Sequence, residues 1–162
     1  MPVRSLPRGM SFAHPVCLVS TFFGIGLLPI APGTWGSLVA LPVAWVVLTH
    51  WNIYFLLLIA ASLFVLGCLA SEVYVRRTND TDPGAIVIDE VVGQLLVLAI
   101  APLNWRYFLT AFILFRLADI IKPWPVSWAD RSVKGGLGIM LDDLFAALYA
   151  AASLYGLMVL FG

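Results

Sequence analysis

Long apolar runs, broken at intervals by prolines, glycines and knots of charge, set the rhythm of this chain. Four of them, residues 52–71, 86–103, 105–121 and 143–161, approach the roughly 20 residues that a helix needs to cross hydrocarbon. A fifth, 37–50, is shorter and carries Pro42. Pro102 and Asn104 predict a tight turn between the second and third long runs, and His50, Trp51 and Asn52 predict another ahead of the first. The expected fold is all-α, a polytopic membrane helix bundle of four to five membrane segments forming one domain over residues 1–162. The first apolar stretch is interrupted by Gly24, Gly26 and Pro29 and is expected to be re-entrant or interfacial, because broken backbone survives at membrane depth only under a cover of protein or a wet cavity. Arg4 and Arg8 ahead of it give the outline of a secretory leader, but no convincing small-residue cleavage site follows, so the segment is expected to be retained.

Threading the runs alternately through a bilayer sorts the charges. The side on which 52–71 ends also receives the start of 86–103, the end of 105–121 and the start of 143–161. Every carboxylate falls on or near that side, from Glu72, Asp80 and Asp82 through Asp130. So do Arg76, Arg77, Arg116, Lys122, Arg131 and Lys134, leaving Arg106 alone across the membrane. The excess of Lys and Arg makes that side cytoplasmic. Composition agrees with a lipid setting: 62% of the 162 residues are hydrophobic and 11% charged, where a soluble domain carries about 25% charged. A net charge of zero gives no field for nucleic acid. Cys17 and Cys68 lie in apolar stretches without metal-site spacing and read as small apolar residues. The tryptophans cluster near run ends, as in an interfacial belt.

Three acidic sites then stand at helix ends on one face of the membrane: "IVIDEVVGQ" with Asp89 and Glu90, "FRLADIIKPWP" with Asp119, and "GIMLDDLFA" with Asp142 and Asp143. Favourable helix-dipole placement would explain the pairs at helix starts. It does not explain Asp119, near a helix C-terminus, for which the plain reading is an i, i+3 ion pair with Arg116. Ionisable residues at the border of a membrane segment are nevertheless functional candidates. Carboxylates converging without His or Cys suit a hard, oxygen-loving cation, and Mg2+ fits better than zinc. Glu72 and Arg76 read as a surface pair, "NDTDP" (79–83) as a solvated turn, and His14 and His50 lack an acid partner in sequence.

Cations and glycines beside the acids point independently to a phosphate. Arg116, Lys122, Arg131 and Lys134 neighbour the metal candidates, and "KGGLG" (134–138), with Gly135 and Gly136, leads into a helix whose free N–H groups favour an anion. "PGTWGS" (32–37) offers Thr34 or Ser37 as a cap or phosphate donor.

Together "GLLPIAPGTWGS", "DPGAIVIDEVVGQ", "FRLADIIKPWP" and "GGLGIMLDD" resemble the phosphatidylglycerophosphatase A family, in order from about residue 22 to residue 147. The resemblance implies a Mg2+-dependent lipid phosphatase of the bacterial inner membrane, releasing phosphate from phosphatidylglycerophosphate to leave phosphatidylglycerol. It implies Asp89, Glu90, Asp119, Asp142 and Asp143 in the acidic centre, and Arg116, Lys122, Thr34 and Ser37 around the phosphate. Two rivals were weighed on the residues. CDP-alcohol phosphotransferases also hold aspartates at helix ends, but their DxxDGxxAR pattern is absent. A transport or assembly subunit would use Arg116 and Asp119 only as a buried pair.

Overall fold

The computed structural model describes residues 6–7 and 9–161, and the described residues contain helices and turns but no strand. The order is α1 (Pro15–Ser20), a 3-10 turn (Ile25–Leu27), α2 (Pro32–His50), α3 (Ile53–Thr78), α4 (Ile88–Leu98), α5 (Trp105–Ile121), α6 (Val126–Ser132) and α7 (Gly135–Phe161). Local chemistry sets several boundaries. Asn52 caps α3 by accepting from the Phe55 N–H at 3.0 Å, and Asn104 caps α5 by accepting from the Arg106 N–H at 2.9 Å, the role for which short polar side chains are selected at helix starts. Helices α3 and α5 stop where Asn79 and Lys122 turn left-handed, at φ 55 and 48.

Three helices, α2, α3 and α7, are long and apolar enough to cross a membrane by length and composition. That is fewer than the four to five crossings expected from the apolar runs. The difference lies in α5, 17 residues long and not among the three, and in 86–103, which folds as an 11-residue α4 followed by a turn. At 1.5 Å per residue α4 spans about 16 Å, roughly half of a ~30 Å hydrocarbon core. Its apolar character has another cause: Ile88, Val91, Val92, Leu95, Val97 and Leu98 are all buried, because α4 packs against α2, α3, α5 and α7 at once. A helix apolar on every side can be enclosed by protein as well as by lipid. Helix α5 runs over the expected 105–121.

Around α4 the core divides into one cluster with Leu95, Phe108, Phe115 and Leu154 and another with Tyr74, Ile88, Val92 and Met140. Large apolar side chains also face outward, among them Leu58 and Leu69 on α3, Ile113 and Ile120 on α5, and Tyr155 and Leu160 on α7. An apolar exterior on this scale suits a hydrocarbon solvent. The N-terminal stretch expected to be re-entrant forms α1 and the 3-10 turn, neither of crossing length, and is pinned to the 85–87 segment by a hydrogen bond from the Val87 N–H to the Ser20 carbonyl at 2.9 Å. Arg4 and Arg8, expected on the charged side, lie outside the described residues.

Two helix starts differ from expectation and both bear on the acids. Helix α7 begins at Gly135, so Asp142 and Asp143 lie two turns inside it and not in its first turn. "PGTWGS" is the opening of α2 and not a loop. Helices α3 and α7 meet closely at Gly136, whose missing side chain leaves room for the backbone of Cys68 and Glu72. Gly136→Val is expected to lower the unfolding midpoint in detergent by the equivalent of about 1–3 kcal/mol or more, as overpacking does; an unchanged midpoint would mean that α3 and α7 do not touch there.

Candidate active site

All five predicted carboxylates come to one end of the bundle. Asp89 and Glu90 ride the first turn of α4, Asp119 the end of α5, and Asp142 and Asp143 lie two turns into α7. They line a cavity of about 390 Å3 with Gly33 and Thr34 of α2, Asp82 and Gly84 of the α3–α4 loop, Arg116 and Lys122. Six carboxylates therefore face two cations in one enclosure.

Helix phase separates the acids into two kinds. Asp89, Glu90 and Asp143 each offer a carboxylate oxygen within 4.8 Å of the others. Asp143 is 2% exposed, and its Oδ2, like Glu90 Oε2, is buried without a hydrogen-bond partner. Buried like charges at this separation, with oxygens unsatisfied, are costly unless a cation fills the gap. A donor set made only of oxygen suits Mg2+ or a similar hard ion, so these three residues fit the metal the sequence implied.

Asp119 and Asp142 are held instead by cations. Arg116 donates through Nη1 to Asp119 Oδ2 at 2.7 Å and lies 3.8 Å from Glu90 Oε1. Lys122 donates to Asp142 Oδ2 at 2.8 Å and to Asp130 Oδ1 at 2.5 Å. The second oxygen of Asp142 accepts the Asp143 N–H at 3.0 Å. Burial pulls the Lys122 ammonium toward neutrality, but its hydrogen bonds to Asp130 and Asp142 outweigh this and hold its pKa above the usual lysine value. Lys122 is therefore charged at neutral pH.

The α2 opening explains its own glycines. A side chain at Gly33 would collide with Glu90 Oε1, and one at Gly36 would press on the Val87 carbonyl at 3.1 Å. These glycines let the acidic end of α4 approach α2. Thr34 lines the cavity. Ser37 donates its hydroxyl to the Gly33 carbonyl at 3.0 Å and accepts from Arg116 Nη1 at 3.4 Å, so it stands behind the guanidinium.

Arg131, Lys134 and Gly135 line a second cavity of about 300 Å3, which adjoins the first through Asp82, Asp89 and Asp142. Gly136 lies outside both linings, its N–H donating to Glu72 Oε2 at 2.8 Å. Glu72 also pairs with Arg76 at 2.7 Å, as its spacing suggested. Sequence reasoning passed over Gly33, Asp82 and Asp130. Asp82 was read as a solvated turn residue, although its loop leads directly into "IDE"; nothing local in the sequence marks Asp130 as the partner of Lys122.

A helical bundle with membrane-length helices and a buried, all-oxygen acid centre flanked by Arg and Lys defines a class of membrane protein built to handle a charged group at the end of its helices. The Phosphatidylglycerophosphatase A family model matches residues 18–158, and the chain belongs to that family, which makes it a phosphatase. It is 39% identical over 151 residues to Phosphatidylglycerophosphatase A of Haemophilus influenzae, covering 93% of each chain. To Phosphatidylglycerophosphatase A of Escherichia coli it is 38% identical over 149 residues, covering 90% of this chain and 85% of the relative. A Bacteroides thetaiotaomicron protein named "Putative phosphatidylinositol-3-phosphatase" is 37% identical over 145 residues, covering 82% of this chain and 87% of the relative. No solved structure matches the chain.

The split between the two α7 acids generates a prediction. Asp143→Asn is expected to raise the Mg2+ concentration for half-maximal phosphate release at least about tenfold, the loss of one charged ligand being worth upwards of ~1.4 kcal/mol, or to abolish release. Asp142→Asn is expected to leave that concentration within about twofold, since its charge is matched by Lys122 and not by the metal. Mg2+ titrations of initial rate on folded protein decide, and equal shifts for the two variants would rule out the division.

Proposed function

We propose that this protein is a Mg2+-dependent phosphatidylglycerophosphatase, hydrolysing the terminal phosphomonoester of phosphatidylglycerophosphate to phosphatidylglycerol and phosphate in phospholipid biosynthesis. The observation that carries the reading is the convergence of Asp89, Glu90 and Asp143 within 4.8 Å beside Arg116 and Lys122 at one end of a membrane-type bundle. Two relatives bearing the name Phosphatidylglycerophosphatase A supply the substrate.

Asp89, Glu90 and Asp143 would hold Mg2+, which when bound supplies Lewis acidity and neutralises charge on the phosphate. Arg116 turns its guanidinium from Asp119 toward the phosphoryl oxygens and stabilises the charge that builds on them, with Ser37 bracing it from behind. The Thr34 hydroxyl donates to the same group. Released from its cation, Asp119 accepts the proton of the attacking water. The new bond joins the water oxygen to phosphorus, the bond from phosphorus to the glycerol oxygen breaks, and a proton from a solvent water restores the glycerol hydroxyl, while Asp119 returns its own proton to solvent. The charged loops face the cytoplasm of a cell whose inner membrane holds the protein, because Lys and Arg concentrate there.

Purified protein in detergent is expected to release inorganic phosphate from phosphatidylglycerophosphate with Mg2+ and not with chelator. Alcohol-dependent CMP release from a CDP-lipid would favour a transferase instead, and no turnover of either would favour a non-enzymatic subunit.

Orientation has its own test. A cysteine replacing Thr78, at the end of α3, is expected to resist an impermeant thiol reagent in intact cells and to react after the membrane is opened. Strong labelling in intact cells would reverse the assigned sidedness.

A further inference from the structure

The two adjoining cavities differ in the state of their cations. In the first, Arg116 and Lys122 are each within 2.8 Å of a carboxylate. In the second, Arg131 and Lys134 line the wall, and among the described residues neither has a carboxylate within 4.0 Å. The second cavity thus carries two exposed cations without an ion pair in a wall that also holds Asp82, Asp89, Asp130 and Asp142, of which Asp130 and Asp142 are paired with Lys122, next to a first cavity whose cations are already matched and whose remaining acids call for a divalent ion.

The proposed substrate carries two phosphates of unlike chemistry. A terminal monoester bears about −1.5 to −2 at pH 7 and suits the metal-binding centre. The phosphodiester joining its glycerol to the lipid bears a single charge, needs no metal, and suits Arg or Lys. We infer that the second cavity, through Arg131 and Lys134, binds the phosphodiester of the headgroup while the monoester occupies the first cavity. Because Asp82, Asp89 and Asp142 form a wall common to both, the headgroup has only that wall to cross. Recognition then rests on a pair of phosphates, which distinguishes this substrate from a lipid whose only phosphate is a monoester. The inference builds on the substrate reading above and assigns the anchoring of that substrate to residues outside the carboxylate trio.

The test uses the full chain in detergent with Mg2+ and a short-chain phosphatidylglycerol, which retains the diester and lacks the monoester, so that binding is read without turnover. Calorimetric titration is expected to show binding by the wild type, weakened about tenfold by Arg131→Gln or Lys134→Gln, the scale of one charge-assisted hydrogen bond, and largely restored by Arg131→Lys. Short-chain diacylglycerol, without any phosphate, is expected not to bind. Wild-type protein that ignores short-chain phosphatidylglycerol, or variants that bind it as the wild type does, would overturn the assignment. Inorganic phosphate that binds in an Arg131-dependent manner where short-chain phosphatidylglycerol does not would overturn it too, marking the cavity as an exit for released phosphate. Phosphate release from phosphatidylglycerophosphate, measured on the same preparations, reports separately on the substrate reading. With release intact and diester binding absent, the second cavity fails while the enzyme stands; with no release at all, the substrate reading fails first.

Discussion

Three carboxylates crowded together at a partly buried polar cavity form the constraint around which this bundle is organised. Asp89, Glu90 and Asp143 repel one another within 4.8 Å, and partial burial strengthens that repulsion by thinning the solvent that would screen it. The fold must press them together from two helices and hold them there. It does so by placing a short α4 in the middle of the structure with longer helices on every side, so that the acids at its start cannot withdraw without disturbing the whole core. Gly33 and Gly36 on α2, and Gly93 on α4, whose missing side chain makes room for the Phe115 ring, are the local accommodations that allow this approach.

Arrangement of countercharge then gives each acid its role. Adjacent acids in the chain differ because successive helical residues point about 100 degrees apart. Asp143 turns toward the α4 acids, while Asp142 turns toward Lys122 and, through it, Asp130 of α6. Lys122 can reach both because it sits at the left-handed end of α5, where the chain leaves the helix and turns toward α6. One cation thereby links α5, α6 and α7, and any change in the charge of the cavity is felt at that junction.

Much of this could be read from the chain before its structure was known. The helical class, the span of α5, the Asn104 turn and the gathering of the acids at one end follow from periodicity and from the one-sided distribution of charge. The pairing of Arg116 with Asp119 follows from their spacing. Three things did not follow. Apolar content alone does not distinguish a segment enclosed by protein from one enclosed by lipid, so α4 was given a full crossing. Helix starts marked by glycine are also ambiguous: "PGTWGS" looks like a loop by composition, yet it is helical, its Gly33 and Gly36 answering to Glu90 and Val87, whereas in "KGGLG" Gly135 does turn left-handed, at φ 74, and Gly136 answers to α3. The partners of Lys122 could not be read at all, since Asp130 and Asp142 are brought to it by tertiary packing alone.

The depth of the α7 acids carries a last consequence. Asp142 lies seven residues beyond the start of α7 at Gly135, about 10 Å along the helix axis, and one cavity lining runs from Gly135 through Gly138 and Ile139 to Asp142. Hydrolysis consumes a second reactant, water, which hydrocarbon does not provide. A passage walled by Asp82, Asp130, Arg131 and Lys134 gives water a polar path along the start of α7 to the carboxylates, so the second reactant need not cross the apolar exterior of the bundle to reach them.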